Sequence, residues 1–197
     1  MKTLVVYANP NMGGHCHAIL ESVKQELASR KIEYDFVDLN AEKFDPVISA
    51  EELYTSGGSK VNDQTKKYMD QLAAADKIIY IYPIWWNSMP AIVKGYFDKV
   101  MAGRFAFRYI KKPYLWFAYP VGLLTGKKAV VFVTTGARWW MTGPFLGNRY
   151  KKIIVHDILE YCGLKAKLFS LHNCLKWEES RKPEVEKLVK HGLNWLY

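Results

Sequence analysis

The 197-residue chain is half hydrophobic and 15% aromatic with a formal net charge of +9, which suits one domain over residues 1–197 with a sizeable core. No apolar run is long enough for an integral membrane segment, and MKTLVVYANP breaks at Asn9 and Pro10, too early for a signal peptide, so a cytoplasmic protein is expected. Cys16, Cys162 and Cys174 are widely spaced without a CxxC pair, so neither a disulfide framework nor a structural zinc site is indicated; free thiols and no metal are expected. The surplus positive charge falls in scattered lysine pairs, such as Lys66-Lys67 and Lys151-Lys152, and reads as solvated surface, with no nucleic acid expected.

Lys2 to Tyr7 is a compact apolar run that suits a central parallel strand. The NPNMGGHCH segment follows, and then Ile19, Leu20, Val23 and Leu27 mark one face of a helix reaching about Arg30. A glycine-bearing loop opening a helix offers backbone N–H groups to a phosphate at Gly13 to His17. Glu33 to Leu39 reads as a second strand, Gly57-Gly58 as a loop, and Gln64 to Ala75 as a helix. Ile78 to Tyr82 is the third strand, stopped by Pro83; Trp85, Trp86 and Asn87 fill a short loop before Pro90 opens a helix through Val93, Phe97, Val100 and Met101. The segment from Gly103 to Lys128 is long and aromatic, and is expected to cover a site or a partner. Ala129 to Thr134 is a strand running into Thr135, Gly136 and Ala137. A helix from about Arg149 to Tyr161, ended by Gly163, a strand from Lys165 to Leu171 and a helix from Pro183 to Leu196 complete the chain.

Five strands alternating with five helices predict an α/β, three-layer flavodoxin-like fold: a five-stranded parallel sheet of order 2-1-3-4-5 with helices on both faces. Ligands of such sheets sit outside the carboxyl ends of the strands. Three loops converge there: NPNMGGHCH, PIWWNSM and TTGARWW. Each alone is compatible with an ordinary βα turn. Together they offer a phosphate site, an aromatic wall for a flat ring and a small-residue loop that lets backbone donors approach it, which fits flavin mononucleotide.

Ala8-Asn9-Pro10, Asp38-Leu39, the 44–49 stretch FDPVIS, Pro83-Ile84-Trp85-Trp86, the 90–100 stretch PAIVKGYFDKV, the 103–107 stretch GRFAF and Thr134-Thr135-Gly136 give the chain its resemblance to a known group. In these residues it resembles the flavodoxin-like NAD(P)H:quinone oxidoreductase family, over most of its length and in the family's order. The resemblance implies hydride transfer from NAD(P)H through bound flavin to a quinone or similar small planar acceptor, in a ping-pong cycle. It implies that Asn9, Gly14, His15, Cys16 and Ala18 hold the flavin phosphate. Pro83, Ile84, Trp85, Trp86, Asn87, Thr134, Thr135, Gly136 and Ala137 would contact the ring system. In relatives the GxFAY segment reaches a neighbouring subunit's site, so Phe107 and Tyr109 are expected to do so in a homodimer, with Trp86 and Trp139 also facing substrate.

The chain departs from the family in several places. Asn9 stands where a histidine is common and Gly14 where a serine is common. Thr142 and Asn148 replace a tyrosine and a histidine that assist charge relay, which leaves Arg138 as the candidate catalytic residue, with solvent exposure an equal reading of it. His156 and His172 read as structural. FMN is favoured over FAD because the chain lacks an extended carboxyl-terminal region; an adenine end would need contacts from the Ser49 to Tyr68 region or a partner subunit. Two rival readings stand beside the reductase: an ancillary regulatory flavoprotein docking peripherally on a cation-efflux transporter, and a flavodoxin-type electron carrier.

Overall fold

A computed structural model describes residues 1–53, 61–111 and 116–197. The expected Gly57-Gly58 loop, and residues 112–115 of the aromatic segment, lie outside the described residues. Strands β1 (Thr3–Tyr7), β2 (Tyr34–Asp38) and β3 (Lys77–Pro83) fall at the expected places. Helices α1 (His15–Ser29), α2 (Asp63–Ala74) and α3 (Ala91–Val100) alternate with them.

One expectation is corrected after α3. The aromatic segment contains two further strands, β4 (Phe107–Lys111) and β5 (Ala118–Gly122), paired antiparallel as a separate two-stranded sheet. Strands β6 (Lys128–Thr134) and β7 (Lys165–Leu171) then rejoin the main sheet. Its order is β2-β1-β3-β6-β7, all parallel, so the anticipated 2-1-3-4-5 arrangement holds only once β4 and β5 are left out of the count. No residue of either hairpin strand is fully buried, so the pair leaves no alternation of core and solvent positions in the sequence.

Alternation within the buried strands builds two cores. Leu4 and Val6, Tyr80 and Tyr82, Val131 and Val133 face α2, α3 and the 149–160 helix; Val5 and Tyr7, Ile79 and Ile81, Val130 and Phe132 face α1 and the carboxyl-terminal helix. That last helix is α5 (Lys182–Leu196). The helix between β6 and β7 is α4 (Arg149–Lys152), continued by a π-helical stretch, Ile153–Glu160. Gly163 ends it at φ 97°, a left-handed stop that glycine adopts without strain.

The register aligns the strand ends that matter. Tyr7 lies opposite Ile81 and Asp38, Pro83 opposite Thr134, and Thr134 opposite Leu171. The loops that follow β1, β3, β6 and β7 therefore leave from one edge.

Candidate functional site

The first loop is braced by its own asparagines. Asn9 Nδ2 donates to the Asn11 carbonyl at 3.1 Å, and Asn11 Oδ1 accepts from the Gly13 N–H at 2.9 Å. Gly14 follows at φ 82° and ψ −167°, a region essentially restricted to glycine, and it turns the chain into α1. No side chain caps α1, and its first turn holds no acidic residue. The first intrahelical bond shown at this end runs from the Ala18 N–H to the Gly14 carbonyl. The amides before it, at the positive end of the helix, are directed out of the helix.

Cys16 sits differently from its neighbours. Its thiol is buried and lies 3.0 Å from Thr134 Oγ1, tying the first loop to β6. Burial pushes this thiol up to about 12, so it stays protonated. Its backbone belongs to the helix start, while its side chain points into the core.

The second loop is a tight reversal. Trp85 and Ser88 exchange backbone hydrogen bonds at 2.9 and 3.0 Å, and Trp86 and Asn87 between them have φ 51° and 56°, the positive pair of a type I′ turn. The Trp86 side chain is wholly exposed at the tip and Trp85 half so. The Asn87 Oδ1 atom is buried without a partner, an unusual state that a ligand donor would relieve. Pro83 ends β3, and the N–H of buried Ile84 donates to the Thr134 carbonyl at 2.7 Å, joining the second loop to the third.

In the third loop Thr134 and Thr135 are buried and Gly136 is exposed. Thr135 Oγ1 accepts from the Ala137 N–H at 3.2 Å, which fixes the turn. A Cβ on Gly136 would come within 2.8 Å of Leu175 Cδ2, so the backbone here approaches its neighbour closely. Arg138, Trp139 and Trp140 are all exposed. Thr142 is buried and donates to the Trp139 carbonyl at 3.3 Å, and Asn148 is an exposed left-handed residue opening α4.

A fourth segment, which sequence reasoning missed, closes the arrangement. The Cys174 N–H donates to the Thr135 carbonyl at 2.9 Å, and the Asn173 N–H to the Ala137 carbonyl at 3.3 Å. Arg181 donates to His15 Nε2 at 3.1 Å and to the His172 and Asn173 carbonyls at 2.9 and 3.1 Å, and pairs with Glu184 at 2.7 Å. Burial first, and then the guanidinium beside it, holds the His15 imidazole below its ordinary value. Accepting at Nε2 fixes the neutral form with the proton on Nδ1. Trp177 meets the His15 ring edge-on at 5.1 Å. Nothing but a basic residue ahead of a helix marks Arg181 in the sequence, and its partners lie as far as 166 residues away.

Two expected substrate residues are elsewhere. Phe107 and Tyr109, on β4, pack on Tyr161 near the far end of the 149–160 helix: the Phe107 and Tyr161 rings are 5.2 Å apart, and the Tyr161 hydroxyl donates to that of Tyr109 at 3.2 Å. They do not join the four loops of their own chain.

Comparison with known proteins agrees with this geometry. The family described as having a flavodoxin-like fold matches residues 1–191. An FMN-dependent NADH:quinone oxidoreductase of Coprothermobacter proteolyticus is 32% identical over 83% of this chain and 82% of its own. The human ribosyldihydronicotinamide dehydrogenase [quinone] is 35% identical over 74% of this chain, which spans 62% of that relative's length. A solved structure from Streptococcus mutans superposes with a TM-score of 0.84 at 32% identity, covering 98% of this chain and 100% of the other.

Proposed function

The chain belongs to the flavodoxin-like fold family, and from that premise we propose that it is an FMN-dependent NAD(P)H:quinone oxidoreductase. The observation that carries the reading is the convergence, on one sheet edge, of an uncapped helix amino end, an exposed tryptophan turn and a glycine loop on buried threonines. The similarity to an FMN-dependent NADH:quinone oxidoreductase along most of both chains supports the same cofactor and co-substrate here.

The donor set fits FMN. The first-turn amides of α1, with Gly14 and the asparagine-braced loop before it, would hold the phosphate. Trp85 and Trp86 would flank the ring, and the buried Asn87 Oδ1 would accept from one of its N–H groups. When bound, the flavin supplies a two-electron carrier that accepts hydride from a nicotinamide and delivers it to a quinone.

The protein's part is orientation and electrostatics. The Cys16–Thr134 contact and the Ile84–Thr134 bond lock the phosphate and ring loops to one strand end. Thr142 is turned inward onto the Trp139 carbonyl, so it does not replace the tyrosine of the better-known reductases. The Thr135 and Ala137 amides are engaged by the Leu171 carbonyl and Thr135 Oγ1, which leaves the Gly136 N–H to face the ring's carbonyl edge, with Arg138 available to an anionic acceptor. We read the protein as a cytoplasmic homodimer, since NAD(P)H is a cytoplasmic co-substrate and Phe107 and Tyr109, which the family resemblance assigns to a neighbouring subunit's site, pack on Tyr161 away from the loops of their own chain.

The visible spectrum of the purified protein tests this. A bound, chromatographically identified FMN, bleached by anaerobic NADH or NADPH and restored by a quinone, is the expected result. Absence of flavin binding after reconstitution would overturn it.

A further inference from the structure

The positive charge of this chain is concentrated, not scattered. From Lys99 to His156 the sequence contains eleven Lys and Arg residues and no Asp or Glu, whereas the remainder has seventeen against nineteen. Pairs of lysines conceal this, because what distinguishes the stretch is the missing carboxylates. Several of its cations are used internally: Lys99 is buried, and Lys127 and Lys128 donate to backbone carbonyls. Arg138, Arg149, Lys151 and Lys152 are exposed, and the ion pairs among the described residues all lie elsewhere.

The same short segment exposes large apolar side chains. Trp139 is 67% exposed, Trp140 47%, Met141 40% and Phe145 76%. The π-helical turn Met141–Phe145 and the left-handed Asn148, whose N–H donates to the Thr142 carbonyl at 2.8 Å, fold the segment back on itself. Trp139 and Lys151 consequently line one shallow pocket of about 440 Å³, and none of its lining residues is acidic.

We propose that the face formed by residues 138–152 docks on the surface of an anionic phospholipid bilayer. Tryptophan and other large apolar groups framed by Lys and Arg are the composition that sits at a headgroup boundary, with cations meeting lipid phosphates and rings entering the acyl edge. The docking is peripheral, since no described helix is long and apolar enough to cross a membrane. A second copy of this chain is disfavoured as occupant, because a two-fold contact would oppose the same uncompensated cations. The face continues directly from the Thr135–Ala137 loop, so docking brings the candidate site to where lipid-soluble quinones reside. That consequence rests on the quinone reductase reading; the docking itself does not.

Flotation of the full-length, FMN-loaded protein with vesicles tests it. Vesicles containing phosphatidylglycerol are expected to carry the protein at low salt, to release it at high salt, and to exceed pure phosphatidylcholine vesicles by ten-fold or more in partitioning. Lys151→Glu with Lys152→Glu is expected to lower that partitioning about ten-fold, and Phe145→Ser to lower it severalfold, both leaving reduction of a short-chain, water-soluble quinone unchanged. Equal partitioning on both vesicles, or variants that bind like the parent, would overturn the docking. Tighter, salt-sensitive binding to RNA, or a multimer that Phe145→Ser disperses, would overturn it in favour of those occupants. Retained quinone reduction without vesicle binding would sink the docking alone. Vesicle binding without quinone reduction would sustain the docking and sink the enzymatic reading.

Discussion

Gly14 combines φ 82° with ψ −167°, and a Cβ built on it meets nothing within 4 Å. The requirement for glycine is therefore conformational. That gives a physical reason for the departure from serine: a side chain here would strain the turn that aims the α1 amides outward. Gly14→Ala is expected to cost roughly 1–3 kcal/mol of stability and to weaken FMN retention, read from denaturant midpoints and flavin content. A variant as stable as the parent would refute it. His15, which opens α1, and His172, just past the end of β7, are both held below their ordinary value of 6.5, each chiefly by burial. Their folded values lie below their unfolded ones, so the stability they contribute is complete above about pH 6.5 and is lost as the pH falls toward the folded values. The melting temperature is expected to drop between pH 7.5 and 5, and His15→Gln to flatten that profile. Parallel profiles would contradict it. The glycine was legible as a loop signal, whereas the Arg181–His15 contact was not, because it joins two chain segments that share no pattern.

Helix α3 illustrates how much of an element its sequence reveals. Pro90 and the spacing of Val93, Phe97, Val100 and Met101 place the helix, and all four of those residues are buried. Lys99, one position from that stripe, is buried as well, although lysine is ordinarily a surface residue. Its Nζ donates to the Asp45 and Val47 carbonyls at 3.2 and 2.9 Å and lies 3.3 Å from the Glu52 carboxylate. Gly95 on the same helix meets Pro46, where a Cβ would fall 2.2 Å from the proline carbonyl oxygen. The 44–49 and 90–100 stretches, two separate parts of the family resemblance, are thus one packed joint. Periodicity identifies which side of a helix is apolar, but a cation satisfied by carbonyls some fifty residues away leaves no periodic trace. Lys99→Met is expected to destabilise the protein by roughly 2–4 kcal/mol, since it removes the cation beside a largely buried carboxylate and the donor to two carbonyls. Gly95→Ala is expected to cost at least about 1–3 kcal/mol through backbone displacement. Urea denaturation measures both, and a change below about 0.5 kcal/mol in either would show that the joint does not hold α3.

At the scale of the molecule, the five-stranded sheet was legible because its central strands are continuous apolar runs, while the β4–β5 hairpin was not, because it has no buried face. That exposure bears on assembly. A two-stranded ribbon is marginal alone, and this one is held by close contact of Gly122 with the Cys162–Gly163 backbone and by Phe107 on Tyr161. Tyr109, Trp116 and Phe117 remain 55%, 90% and 46% exposed, a cost that a second copy would remove by covering the ribbon. In the proposed homodimer the hairpin is therefore an interface, separate from the face at residues 138–152. A Cβ on Gly122 would lie 2.3 Å from the Cys162 carbonyl carbon, so Gly122→Val must push the hairpin off its seat. Light scattering behind a sizing column is expected to give a dimer for the parent and a shift toward monomer for Gly122→Val. Quinone reduction should fall with it, while flavin stays bound, because the phosphate and ring loops depend on β1, β3 and β6 and not on β4. A dimer that survives the substitution with full activity would remove the hairpin from the interface and leave Phe107 and Tyr109 without a role in any site.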